Sequence, residues 1–176
     1  RTGVEWRPLP SVQISMEPRY ERKVTDAQWV DIITAADGAH YVYGELDSRT
    51  LDLTTRAELS FAPGLSLELY LQPFIAIGDF GAFKELTAAQ SYDFSPYVLN
   101  ENRDFHRRSL KSNLVLRWEF SPGSALFVVW SQSRSARLDD PTAEDLEFRP
   151  LSRIGSSFSD AGDHVLLVKA SYWVGG

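Results

Sequence analysis

The sequence contains no cysteine. That one absence excludes disulfides, thiolate zinc sites and cysteine nucleophiles. Histidine is scarce: three occur, at His40, His106 and His164. They stand far apart, with no HxH or HExxH spacing, so no metal site is expected. Basic residues are outnumbered, with 18 Lys and Arg against 24 Asp and Glu and a net charge of −6. Phosphate recognition calls for a basic face, so no nucleic-acid partner is expected. No stretch approaches the roughly 18 consecutive apolar residues of a membrane-crossing helix. Glycine-rich phosphate loops, dinucleotide fingerprints and a serine nucleophile elbow are also missing, and no cofactor is expected. Helical periodicity is nearly absent, and only 83–90 carries enough of it for one or two turns. No secretory leader opens the chain, which begins at Arg1 inside a strand-like pattern, as a piece of a longer or processed protein would.

Alternation with a period of two dominates. Leu51, Leu53, Thr55, Ala57, Leu59 and Phe61 interleave with Thr50, Asp52, Thr54, Arg56, Glu58 and Ser60. Leu65, Leu67, Leu69, Leu71, Pro73, Ile75 and Ile77 interleave with a series that begins Ser66, Glu68, Tyr70, Gln72. Val12 to Tyr20 and Leu114 to Phe120 repeat the pattern. The last run, from His164 to Val174, is apolar on both faces, with Lys169 and Ser171 sharing one side. A pleated strand sends successive side chains to opposite faces, so each run has one apolar and one polar side. The expected strands are about 1–7, 11–35, 40–62, 65–78, 106–120, 124–139 and 163–174, in a single region spanning 1–176.

The connections alternate in kind. Pro8-Leu9-Pro10, Ala62-Pro63-Gly64 and Ser121-Pro122-Gly123 are tight turns. A connection at Ala36 to Ala39 and long loops at about 79–106 and 140–162 lie between them. In an up-and-down meander this order places every tight turn at one end and every long loop at the other. Trp6, Phe61, Phe120 and Trp173 gather at the tight-turn end. Strands of about 9–11 residues or more, asymmetric loops and aromatic girdles are the pattern of a transmembrane β-barrel. The expected fold is therefore all-β, an antiparallel up-and-down meander forming part of an outer-membrane-type barrel. Leu51, Leu53, Leu59, Leu67, Leu69, Leu71, Leu114, Leu116, Trp118, Val168 and Tyr172 would face lipid. Arg56, Glu58, Glu68, Arg117, Glu119 and Lys169 would face a lumen. A soluble β-sandwich binding module is the alternative, because its sheets also have one apolar and one polar face.

Three strings are distinctive: the turn and strands from Asn113 to Arg134, the run Leu69 to Phe80, and the terminal Leu167 to Trp173. Together they resemble the C-terminal region of the bacterial family grouped as domain of unknown function 5916, over nearly the whole chain. The resemblance implies the closing portion of an outer-membrane β-barrel, usually preceded by a domain similar to carbohydrate-binding family 9. It implies the bacterial outer membrane as location and a structural, pore or anchoring role, serving a carbohydrate-related domain. It brings no catalytic residues.

Candidate chemistry is sparse. Asp104 and His106 could form a proton-transfer pair at the rim of a barrel-borne hydrolase, but no nucleophile is tied to them by spacing. Asp139, Asp140, Glu144, Asp145 and Glu147 lack the order of a dedicated calcium loop. Arg103, Arg107 and Arg108 suggest a small basic patch for lipid phosphates or loop carboxylates. The best binding candidates are the loop residues Phe80, Phe83, Tyr92, Asp93 and Tyr97, because aromatic rings beside carboxylates stack on and hydrogen-bond sugars. Expected partners are membrane lipid, further barrel strands or subunits, and carbohydrate or lipopolysaccharide.

Overall fold

A computed structural model describes residues 3–138 and 140–174. The chain folds into one antiparallel sheet. Its strands are β1 (Val4–Leu9), β2 (Val12–Ala35), β3 (Gly38–Ala62), β4 (Leu65–Leu86), β5 (Phe94–Pro96), β6 (Phe105–Ser121), β7 (Ser124–Leu138) and β8 (Gly162–Ser171). The sheet order is β1-β2-β3-β4-β6-β7-β8, and β5 pairs with the far end of β4. The order is that of a meander, with β1 and β8 as edges that pair no further strand among the described residues. The described residues form no second sheet, so the apolar faces do not meet across a sandwich core.

Two-residue Pro-Gly turns close β3–β4 and β6–β7, with Gly64 at φ 85° and Gly123 at φ 77°. The left-handed region favours glycine there. Register shifts at Ser60/Ala62 and Glu119/Ser121 place one extra residue beside each turn and keep both faces in phase. A methyl group at Gly64 would also lie 2.9 Å from the carbonyl oxygen of Glu119. Gly64→Ala is therefore expected to lower stability by about 1 kcal/mol or more, read as a shift in the unfolding midpoint. The first turn lies at Pro10–Ser11 rather than Pro8–Pro10, because β1 continues through Pro8 to Leu9.

The helix expected at 83–90 is absent. Phe83, Lys84 and Glu85 pair with Gly44, Tyr43 and Val42 instead, extending β4 along the long β2–β3 hairpin. The chain's one described helix, α1 (Pro150–Ser157), lies inside the second long loop. Proline at its start supplies a preset φ and no wasted donor. Of its less exposed positions, Pro150, Arg153, Ile154 and Ser157 follow the spacing of one helical face, with Ser156 beside them, and it packs on β4, β6 and β7.

The register makes the two faces explicit. The row Ile14, Ala57, Leu69, Leu114, Trp130, Leu166 crosses six strands without a polar side chain. So does the adjacent row Val12, Leu59, Leu67, Leu116, Val128, Val168. The apolar positions continue upward to Tyr20 on β2 but stop at Trp130 on β7 and Leu166 on β8, where Gln132 and His164 follow. The band therefore runs obliquely across the rows. Strands that tilt and stagger give a level band this slant.

The opposite face is polar along the same strands, with Glu17, Arg19, Asp52, Thr54, Arg56, Glu68, Gln72, Lys111 and Asn113. Grooves of about 710, 350 and 180 Å³ are lined mainly by residues of this face. It becomes apolar at its β7–β8 corner, where Val129 pairs with Leu167, and again at its long-loop end, where Val42, Leu46 and Phe80 lie. The fully buried side chains Ile75, Leu110 and His106 lie on the apolar face, at its long-loop end.

Candidate functional site

On the polar face a hydrogen-bonded ladder crosses three strands. Thr54 Oγ1 donates to Asp52 at 3.3 Å, and Gln72 Nε2 donates to the other Asp52 oxygen at 2.7 Å. The Tyr70 hydroxyl donates to Gln72 Oε1 at 2.7 Å. The Arg56 guanidinium lies over the Tyr70 ring at 5.4 Å and faces Glu17 at 3.7 Å. On β6–β7, Ser131 Oγ donates to Asn113 Oδ1 at 2.9 Å. This surface offers water and polar solutes charges of both signs on a hydrogen-bonded frame.

Above the apolar band, Arg22 donates to both Asp47 oxygens at 3.1 and 2.7 Å, and Arg49 adds a contact at 3.1 Å. These guanidiniums, Arg22 first, hold the Asp47 carboxyl down at about 2. An ionic cluster thus interrupts the apolar face on β2 and β3.

The two long loops cover opposite faces. Residues 101–104 cross the polar face, where Arg103 reaches Asp31 of β2 at 3.6 Å and Val42 is fully buried. Residues 141–160 cross the apolar face. Phe148 rests on Tyr20 with ring centroids 5.3 Å apart, Asp160 clasps Arg108, and Arg134 donates to the Asp160 carbonyl.

The five candidate loop residues divide. Phe80 and Phe83 stack at 5.9 Å, against Gly44 on the polar face. Tyr97 joins that side, through its amide to the Phe83 carbonyl at 3.0 Å and its ring against His40 at 5.3 Å. Tyr92 instead packs edge-on against Phe94 at 5.0 Å, whose ring meets Tyr43 of the opposite face. Asp93 is exposed, and its carbonyl accepts from the Thr87 amide and hydroxyl. An exposed aromatic group combines Tyr92 with Trp29 and Tyr41, which are 43% and 46% exposed, above Tyr43 and Phe94. Trp29 and Tyr41 come from the β2–β3 hairpin, which reads in sequence as an ordinary strand pair. Only the pairing of Trp29 with Tyr43 brings these rings beside β5.

Asp104 and His106 do not form a pair. Asp104 accepts the Phe80 amide at 2.6 Å, while the buried His106 ring has no hydrogen-bond partner at either nitrogen among the described residues. Arg107 and Arg108 also separate, as strand neighbours must. Arg107 lies over Phe105 and Arg108 turns to Asp160. The acidic run is spent locally: Asp140 accepts from Asn102, Asp145 from Thr142, and Glu147 from Arg149. Asp139 and Arg1 lie outside the described residues.

His40 holds the hairpin tip. Nδ1 lies 2.6 Å from Glu85 and Nε2 lies 3.1 Å from Asp37, so both nitrogens face carboxylates and the arrangement favours the imidazolium form. Glu85, then Asp37, pushes its pKa above the ordinary 6.5. Ser95 donates to Glu85, which places the acid between serine and histidine, the wrong order for a nucleophile triad. A raised histidine pKa stabilises fully below the unfolded value, and that stabilisation is lost as pH rises through the folded value. The tip should therefore be best protected from hydrogen exchange below about pH 6.5 and loosen above the raised value. A pH-independent tip, or one that tightens with base, would refute the clamp.

The family model described as Domain of unknown function (DUF5916) matches residues 4–175. The chain belongs to this family. Neither a curated protein nor a solved structure matches it. The DUF5916 match spans every strand of the meander, β1 through β8. No helix among the described residues of this DUF5916 chain is long and apolar enough to cross a membrane, which says nothing about its strands.

Proposed function

We propose that this DUF5916 chain forms part of the wall of a bacterial outer-membrane β-barrel. Its apolar face meets lipid, its polar face meets an aqueous lumen, and its long loops lie outside. The observation that carries this reading is the bare apolar band. It slants across a sheet whose other face holds the Asp52–Gln72–Tyr70–Arg56 ladder. In water, such a band without a covering layer would be an unusually large exposed patch. In a bilayer, a strand 9–11 residues long crosses at the tilt that the slant implies. The gathering of tight turns at one end and long loops at the other agrees with this orientation.

The role is structural, pore-forming or anchoring. The edges of β1 and β8, which pair no further strand among the described residues, are where further strands or subunits join, because an open edge does not persist in lipid. The exposed rings of Trp29, Tyr41 and Tyr92, on the outer side of the loops, suit contacts with carbohydrate or lipopolysaccharide.

Labelling single-cysteine variants tests the facing directly, since the natural chain offers no competing thiol. In vesicles the Glu68→Cys variant should react with a water-soluble maleimide and the Leu69→Cys variant should not. Equal reactivity of the two refutes the reading.

A further inference from the structure

The segment over the upper apolar face is held by a small set of polar contacts around one group that has none. His106 is 1% exposed, and neither ring nitrogen finds a hydrogen-bond partner among the described residues. Its cross-strand neighbour on β4 is Ile77, also fully buried. The covering segment packs α1 on β4, β6 and β7, is tied to the sheet through Arg108, Arg134 and Tyr20, and holds a further ion pair within itself. Arg108 Nε and Nη2 donate to Asp160 at 2.7 and 2.6 Å. Arg153 of α1 donates to Asp145 at 3.5 Å, which keeps the helix joined to the preceding turn. Phe148 reaches Tyr20, at the far side of β3 and β4.

We propose that residues 141–160 are an acid-released cover with His106 as its trigger: protonating the buried imidazole lifts α1 from the sheet and uncovers Ile75, Ile77 and Leu110. A neutral imidazole in this site already forgoes its hydrogen bonds. A charged one adds a desolvated cation beside other cations, which the site cannot hold. The charged groups around the ring are Arg108 on its own strand, Asp79 further along the same face of β4, and Arg134 on β7. Arg153 on α1 and Asp145 and Asp160 flanking α1 complete the set among the described residues. Burial, then Arg153 and Arg108, lowers the pKa of His106, and the two aspartates oppose this only in part.

The two aspartates that flank α1 do not titrate in the same window. Asp160 is held below the ordinary carboxylate range by Arg108, and Asp145 by Thr142. Both remain ionised at mildly acidic pH, so the clasps persist until the histidine takes its proton. A depressed histidine pKa destabilises the closed form as pH falls below the open-state value of about 6.5. The inference does not depend on whether the lower band meets lipid, so its failure and that of the barrel reading are separable.

Hydrogen exchange of the folded chain in detergent micelles tests it, at about pH 7.5 and about pH 5.0, with each rate divided by the intrinsic rate at that pH. If the closed form excludes the proton, protection of 150–157 should fall by up to about thirtyfold at the lower pH, while the Leu114–Phe120 stretch of β6 keeps its protection. In His106→Leu the fall should vanish. Should that variant fail to fold, Arg153→Met keeps the ring but removes its nearby cation. Its protection should then fall less on acidification than that of the parent. Protection of α1 that does not change with pH, or that falls equally in His106→Leu, or an Arg153→Met fall as large as the parent's, overturns the proposal.

Discussion

Leu69→Arg should abolish insertion into lipid vesicles, while Glu68→Arg inserts as the parent does. The two residues are neighbours on β4, so sequence context, strand propensity and local structure are the same for both. Only the face differs. Leu69 sits in the unbroken apolar row between Ala57 and Leu114. Glu68 sits on the polar face between Glu58 and Val115. A guanidinium on the lipid face costs about 2–4 kcal/mol near the midplane. On the polar face Glu68→Arg replaces one of two directly opposed carboxylates and relieves a like-charge pair. Insertion is read by flotation with vesicles and by protection from protease. If both variants insert, or both fail, the facing assignment is wrong.

Arg108→Ala should destabilise the folded chain by about 1.5–3 kcal/mol, the range for hydrogen bonds to a charged group, because the pair is partly buried. The side chain of Asp160 is only 9% exposed, and it takes both of its guanidinium contacts from Arg108. Without them a carboxylate is left desolvated under the cover. The double variant Arg108→Ala with Asp160→Ala should recover part of the loss, because the orphaned charge is then gone. Urea unfolding in micelles measures both. A loss below about 1 kcal/mol in the single variant would mean that water reaches Asp160 freely and the clasp is a surface pair.

Most of the sheet was legible because its cause is local. Alternation at Leu51 to Phe61 and Leu65 to Ile77 fixes which side chains share a face, and the Pro-Gly pairs fix where the chain turns back. The grouping of Leu69 with Leu114, and of Glu68 with Arg56, follows from these alone once the strands pair in order. What the sequence hid depends on long-range placement. α1 has Gly155 and three serines among its eight residues and little intrinsic helix preference. It forms where it has the sheet to pack on. Its counterpart at 83–90 has better formers, but the extended β2–β3 hairpin captures Phe83–Glu85 as strand. The loop rings divided for a similar reason: a register shift between Gly44/Leu46 and the pairing of β5 with Lys84–Leu86 decide which face each ring takes. His106 reads as a rim residue until the fold places a cover over it.

The central claim is that the bare apolar band meets lipid. Its most direct test is detergent dependence: circular dichroism, size exclusion and heat-modifiable gel mobility of the chain with and without a mild detergent. The account predicts a folded, monodisperse β protein only in micelles, with a mobility shift on boiling. A compact, monodisperse β monomer in plain buffer, unchanged by detergent, would contradict it.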